Sequence, residues 1–354
     1  MFKLAILTPL PPWYPGGIER LVGEVVKRLK NEFDIEIYCT DSESRIQWWE
    51  DIRVFTFKVD TLYRFSLPLL NMLTESEYDL IHAHCFSTFM PLAAYLTRKR
   101  FAFNPHFHPE AVASVSLKIP RRVYTRVFGY QVYKRAKSII CNSNTEKKLV
   151  SKKFKIPSSK IKVIYNGVDI QKIDSAKPYD TNEHIVLSVS QLYEYKNIQK
   201  VIQAIKYLPK EYIMCLIGKG PYLSKLKDLT KKLGLNNRVK FFGYLSDEEV
   251  YRWLKTCSIF THLSKSETFG MTCLEALAAG KPVIVNNDRF GLQETADLFE
   301  EIHAIDAEST SDRDLAKIIL NMTKKRQVNV DLHNFDWDTI AKEFKQVYFN
   351  TLQA

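Results

Sequence analysis

The chain has 354 residues, 45% of them hydrophobic and 26% charged, and carries a net charge of +11 at pH 7. That length and apolar share suit two globular domains and exclude a fibrous, low-complexity or disordered chain. Residues 1–165 hold 26 Lys and Arg against 15 Asp and Glu, so the whole positive excess lies in the first half; within it, 118–162 hold 14 basic residues against Glu146 alone. The second half is neutral.

The opening "FKLAILTPLPP" is a short apolar run stopped by prolines. It is a poor match to a signal peptide or a membrane span, and a cytoplasmic chain is expected. The six cysteines (Cys39, Cys85, Cys141, Cys215, Cys257, Cys273) are far apart and mostly in apolar runs. No paired spacing suggests a zinc knuckle or a disulfide ladder, so they are expected to be reduced and buried.

In chain order, "KLAILT" reads as a strand, "PLPPWYPGG" as a loop and "IERLVGEVVKRLK" as an amphipathic helix. The second half repeats the unit with "HIVLSVS", "QLYEYKN" and "IQKVIQAIKYL". Further strands are expected at Ile35–Cys39, Leu80–Ala83, Phe101–Asn104 and Lys137–Asn142, then at Ile213–Ile217, Val239–Phe242, Ile259–Leu263 and Pro282–Asn286. Helical stretches between them predict two α/β domains, each a doubly wound parallel sheet. Between the halves, "VIYNGVDIQKIDSAKPYD" is rich in turn formers. The domains are expected at 1–168 and 169–354, with the last helix a candidate for returning to the first.

In such sheets ligands bind beyond the carboxyl ends of the strands. Gly16 and Gly17, His82, His84 and His106 fall at strand ends of the first half, and Lys196, Gly218, Gly220 and the stretch "SKSETFGMTCLEALAAGKPVIV" at those of the second. That stretch sets Glu267 and Glu275 around Gly270 at an expected helix start. A helix N-terminus attracts phosphate, and carboxylates beside it need something else to hold, so the ligand is expected to carry both phosphates and hydroxyls. Blander readings of the same residues are helix-start acids, turn glycines and a solvated lysine. The "HAH" and "HFH" pairs suggest zinc, but no acidic ligand accompanies them and no metal is expected. "GKGPYL" lacks the third glycine of a dinucleotide fingerprint, and "DWD" at 336–338 suits a helix cap better than a metal site.

Taken together, "GGIER", "YDLIHAH", the histidine of "NPHFH", "VIYNGVD", "YKN", "LIGKGP" and "SETFGMTCLEALAAGKPVIV" closely resemble, in content and order, the retaining glycosyltransferases of family 4 (glycosyl transferases group 1). The match runs nearly the full length. The resemblance implies a GT-B fold, two Rossmann-like domains facing across a cleft. It implies an acceptor-binding first domain and a second that binds a nucleoside-diphosphate sugar, with no cofactor. By position, Glu267 would hold donor-sugar hydroxyls, Glu275 the ribose, and the N–H groups of Phe269, Gly270, Met271 and Thr272 would face sugar and diphosphate. Lys196 would neutralise the leaving diphosphate, with Gly218 at the donor loop. Gly16 and Gly17 would admit the phosphate, His106 would contact the sugar near the reacting carbon, and Glu19 would sit at the same loop as Gly16. The acceptor would attack on the leaving-group face, a donor phosphate oxygen helping to take its proton. One departure stands out: Gln191 occupies the place of an arginine that partners the lysine, and it brings no charge.

The expected reaction moves a hexose, with UDP-sugar placed ahead of GDP-mannose, to a hydroxyl of a glycan or lipid-linked acceptor in cell-surface glycan or glycoprotein biosynthesis. The alternatives are a sugar-nucleotide epimerase, a glycoside hydrolase, or a non-enzymatic binder of anionic surfaces. "RRVYTRVFGYQVYKRAK" places Arg122, Arg126, Lys134 and Lys137 near one helical face beside aromatics, which suits either a solvated face or a surface for a phosphate-bearing acceptor or an anionic membrane, with a peripheral place on it. No motif supports nucleic acid.

Overall fold

The computed structural model describes residues 1–59, 64–108, 124–324 and 328–353. The chain forms two units, Met1–Gly167 with Trp337–Ala354, and Val168–Asp336. Each has the expected α/β doubly wound architecture.

In the first unit the strands are β1 (Phe2–Leu7), β2 (Phe33–Asp41), β3 (Arg45–Trp49), β4 (Ile52–Lys58), β5 (Leu80–His84), β6 (Phe101–Asn104), β7 (Ser138–Cys141) and β8 (Ile161–Val163). They lie in the order β3-β4-β2-β1-β5-β6-β7-β8. All neighbours are parallel except the β3–β4 hairpin. The order turns around at β1, between β2 and β5, which marks the ligand-binding crevice of this unit. Runs such as "LAIL" and "LIHAH" are buried throughout because helices cover both faces. The core gathers Phe86, Phe103, Phe107, Tyr133 and Phe154, with Tyr133 stacked on Phe154 at 4.0 Å.

The final helix, Trp337–Gln353, belongs to this unit. It buries Trp337, Ile340, Ala341, Phe344, Val347, Tyr348 and Thr351, one stripe at helical spacing. The Tyr348 hydroxyl lies 2.8 Å from His82 Nδ1, and Arg28 pairs with Asp338 at 2.5 Å. Gly167 is glycine because a Cβ there would lie 2.5 Å from the Trp337 ring. Asp338 of "DWD" is thus part of an ion pair at a helix start, and among the described residues no cluster of His, Cys, Asp and Glu is arranged to hold a metal.

The second unit has β9 (His184–Val189), β10 (Tyr212–Ile217), β11 (Val239–Gly243), β12 (Ile259–His262), β13 (Val283–Asn286) and β14 (Ile302–Ile305), in the order β11-β10-β9-β12-β13-β14. Every pairing is parallel. The switch falls between β9 and β12, so the loops that follow these two strands meet although their sequences lie far apart.

Three expectations need correction. Cys85 is only partly buried, whereas the other five cysteines are buried. Lys137 is not on the basic helix: that segment is a π-turn over Thr125–Gly129 and an α-helix over Tyr130–Arg135, and Lys137 follows it, its N–H bonded to Phe101 O. The two histidines of β5 were expected to differ, His82 pointing into packing and His84 towards the ligand, yet both are buried, at 1% and 2% exposed.

Candidate active site

In the second unit the loop after β9 carries Gln191 and Lys196, and the loop after β12 carries Glu267. Lys196 donates to Glu267 Oε1, and the same oxygen lies 2.9 Å from Nε2 of His262, the last residue of β12. The pair is mostly out of water, with side chains 12% and 20% exposed. Burial by itself would raise the Glu267 carboxyl, but the Lys196 ammonium and the bond to His262 more than offset it and hold Glu267 well below the usual carboxylate range. Burial would likewise lower Lys196, yet Glu267 and the neighbouring Tyr195 hold it above its ordinary value. Both groups are therefore charged at neutral pH. Glu267 can only accept hydrogen bonds, and Lys196 is a fixed cation 5.2 Å from the centre of the Tyr195 ring.

Glycines shape the surrounding backbone. Gly270 has φ +83°, a left-handed conformation, and directly precedes the helix Met271–Ala278, so Met271 and Thr272 open its first turn. Phe269 is fully buried, and Glu275, on the same helix, is 2% exposed. Gly218 has φ +140°, and a Cβ there would lie 1.8 Å from Ser190 O. The "GKG" stretch thus packs on the loop after β9 and is not a dinucleotide fingerprint. Gln191 is exposed on that loop.

The start of the helix Gly291–Leu298 clamps the Glu267 loop from behind. Asp288 accepts from the N–H groups of Phe290 (2.8 Å), Leu292 (3.1 Å), Gln293 (3.2 Å) and Glu267 (3.3 Å). Gly291 N donates to Glu267 O at 3.2 Å. A Cβ at Gly291 would come within 2.5 Å of that oxygen.

In the first unit, Gly16 precedes the helix Gly17–Leu29 in an extended conformation. A Cβ on Gly16 would lie 2.1 Å from Glu19 Oε2, so the glycine makes room for a buried carboxyl. Burial pushes Glu19 up to about 7, against the opposing effects of its own backbone N–H and Arg64. At the ends of β5 and β6, His84 Nδ1 lies 3.1 Å from His106 Nε2, and Asn142 Nδ2 lies 3.3 Å from His106 Nδ1. Burial pushes both His82 and His106 down to about 3, with the His82–His106 repulsion adding to it at His82.

The model for "Glycosyltransferase Family 4" matches residues 15–172, and that for "Glycosyl transferases group 1" matches 169–335. This chain belongs to the family 4 glycosyltransferases. It is 27% identical over 368 residues to an uncharacterized glycosyltransferase of Methanocaldococcus jannaschii, covering 98% of this chain and 99% of that one. It is 26% identical over 302 residues to the UDP-Gal:alpha-D-GlcNAc-diphosphoundecaprenol alpha-1,3-galactosyltransferase of Escherichia coli, covering 77% and 76%. With the alpha-monoglucosyldiacylglycerol synthase of Streptococcus pneumoniae it shares 26% over 305 residues, covering 76% and 68%. Among solved structures, Anabaena HepE in complex with UDP-glucose superposes with a TM-score of 0.77 at 21% identity, covering 99% of this chain and 100% of that one. The fold is therefore GT-B.

Within this glycosyltransferase the sequence-predicted residues form two local groups. Lys196, Glu267, Gly270, Met271 and Thr272 gather at the switch point of the second unit, with Gln191 and Gly218 on the adjoining loops; Gly16, Gly17 and His106 lie at strand ends of the first. Arg126 and Lys134 are exposed beside the exposed Val127, Phe128 and Tyr130, while Arg122 lies outside the described residues. Sequence reasoning missed His262 and Asp288. His262 ends β12 at the switch point and Asp288 follows β13, the next strand in the sheet, and that position at a strand's carboxyl end was the available signal.

Glu19 gives a pH test of the first unit. Its folded value of about 7 lies above the ordinary 4.5, so the folded state holds its proton more tightly. The stability it contributes is complete below pH 4.5 and is lost as pH rises through 7. Glu19→Gln removes that dependence: relative to the wild type, the variant is expected to gain about 3 kcal/mol between pH 4.5 and 8. Parallel thermal melts across that range check it; parallel curves would contradict the burial assigned to this carboxyl.

Proposed function

We propose that this enzyme is a retaining, metal-independent hexosyltransferase that takes a hexose from a UDP-sugar and passes it to a hydroxyl of a lipid-linked or glycan acceptor in cell-surface glycan synthesis, with no cofactor. The observation that carries the reading is the Lys196–Glu267–His262 chain. It supplies, at one helix start, a permanent cation for a leaving diphosphate and a permanent carboxylate for sugar hydroxyls. In this reading the second unit binds the donor: Glu267 accepts from sugar hydroxyls, Glu275 from the ribose, the N–H groups of Phe269, Gly270, Met271 and Thr272 face sugar and diphosphate, and Gln191 and Gly218 line the phosphate loops. The first unit serves the acceptor, with Gly16, Gly17 and His106 as its substrate contacts.

The alternatives fit less well. A glycoside hydrolase needs a carboxyl with a raised pKa beside its nucleophile to protonate the leaving group: Glu267 is held in the opposite direction, Asp288, though raised by burial, is taken up by four backbone N–H groups, and Glu19, also raised, lies in the first unit. The uridine preference is supported by the UDP-glucose bound to the Anabaena neighbour and by the UDP-Gal named for the Escherichia coli relative. A lipid-linked acceptor is supported by the names of the two bacterial relatives. The exposed Arg126 and Lys134, next to exposed Val127 and Phe128, suit contact with an anionic membrane surface. No helix among the described residues is long and apolar enough to cross a membrane.

The test is product analysis. Enzyme, a panel of UDP- and GDP-hexoses and lipid-diphosphate or glycolipid acceptors are incubated with excess chelator. The expected result is a glycoside with the donor's anomeric configuration and an equivalent of nucleoside diphosphate. Free hexose as the sole sugar product would favour a hydrolase, and an epimerised nucleotide sugar an epimerase.

A further inference from the structure

The chain of side chains behind His106 has a defined hydrogen order. Asn142, just after β7, lies 3.0 Å by its Nδ2 from Asn166 Oδ1 and 3.3 Å from His106 Nδ1. An amide nitrogen has two hydrogens and here faces two acceptors. Its Oδ1 is buried without a partner. Turning the amide over would bury both N–H groups in the place of that carbonyl, and orphaned donors are rarer and costlier than under-satisfied carbonyls. His106 Nδ1 is therefore an acceptor. The ring hydrogen sits on Nε2 and is donated to His84 Nδ1 at 3.1 Å, the two rings lying nearly parallel with centroids 5.4 Å apart.

The backbone fixes the spacing of this chain. One carboxylate, Glu146, accepts from the N–H of Phe107 at 2.5 Å and from the N–H of Asn142 at 2.7 Å, tying the residue after His106 to Asn142. His106 has φ +47°, a left-handed conformation that a residue with a Cβ holds only when its surroundings impose it. Both ring nitrogens of His106 are thus spoken for by residues of the same unit.

We propose that Asn142 is a positioning residue that locks His106 as the neutral Nε2–H tautomer, so that His106 contacts the substrate as a fixed ring and does not carry the acceptor's proton. The tautomer rests on the partners of the Asn142 amide, whereas its effect on transfer rests on the reading of His106 as a sugar contact. Asn142→Asp puts an acceptor where the donor stood and draws a proton onto His106 Nδ1.

The experiment combines 15N NMR of imidazole-labelled enzyme with kinetics. In the wild type, His106 is expected to show a proton on Nε2 alone. In Asn142→Asp a proton appears on Nδ1, and kcat falls about tenfold to a hundredfold, as small misplacements at a reacting centre do. The circular dichroism spectrum is expected to stay unchanged, which separates the effect from misfolding. Asn142→Ser, which retains a donor, is expected to recover part of kcat. A proton on Nδ1 of wild-type His106 overturns the tautomer. A shifted tautomer with unchanged kcat overturns the positioning role. The stated tautomer in a wild-type enzyme that transfers no sugar leaves the hydrogen order standing and rejects the transferase reading.

Discussion

Glu267→Ala is expected to lower transfer by about two to three orders of magnitude in kcat/KM, equivalent to about 3–4 kcal/mol of lost transition-state binding. The carboxylate is held ionised by Lys196 and His262, so it meets sugar hydroxyls as a charged acceptor, and such bonds are roughly twice as strong as neutral ones. Glu267→Gln keeps the shape and one acceptor but loses the charge and the ion pair, and should fall between alanine and wild type. Steady-state kinetics with a fixed acceptor read the difference. Near-normal turnover by the alanine variant, with its fold intact, would remove Glu267 from the site.

Lys196→Met is expected to act on stability as well as on transfer. It leaves the Glu267 carboxylate largely out of water with His262 as its remaining described side-chain partner, and breaking a buried pair from one side costs about 3–5 kcal/mol. The pH dependence has a definite sign. In the wild type Glu267 is depressed, so its contribution is present above the ordinary carboxylate range and is lost as pH falls through the folded value. Without Lys196, burial dominates and lifts the carboxyl instead. The variant's penalty is then greatest at neutral pH and shrinks towards pH 5, where protonation relieves the unpaired charge. Calorimetry at pH 5 and pH 7.5 measures this. The double variant Lys196→Met with Glu267→Gln should recover most of the stability and none of the activity; equal penalties at both pH values would show that the two groups are not coupled.

Much of the fold was legible because buried parallel strands read as unbroken apolar runs. "KLAILT", "HIVLSVS" and the stretch Ile213–Ile217 each fell on a strand within a residue of its ends. The β3–β4 hairpin was not legible, because "SRIQWWEDIRVFTFK" mixes charge and aromatics as an edge pair does, leaving Ile46 and Trp48 exposed. β14 is only four residues long and only its end residues are buried.

The site divides in the same way. Glu267, Gly270 and Lys196 could be named from motif and strand-end position. Their direct ion pair could not, because it depends on β9 lying next to β12, an order that sequence does not reveal. Gly16 was expected to make room for a phosphate; the structure adds that a Cβ there would collide with the carboxyl of Glu19 in the first turn of the following helix, a buried contact that no pattern announces. His262 ends an apolar strand and reads as core until its neighbour across the loop is known.

The most direct test of the central claim is the fate of the hexose when enzyme, UDP-hexose and a lipid-linked acceptor react in excess chelator. A glycoside with the donor's anomeric configuration, formed one for one with UDP and abolished in Glu267→Ala, is the predicted result. An inverted product, or transfer that stops when metal is withdrawn, would contradict it.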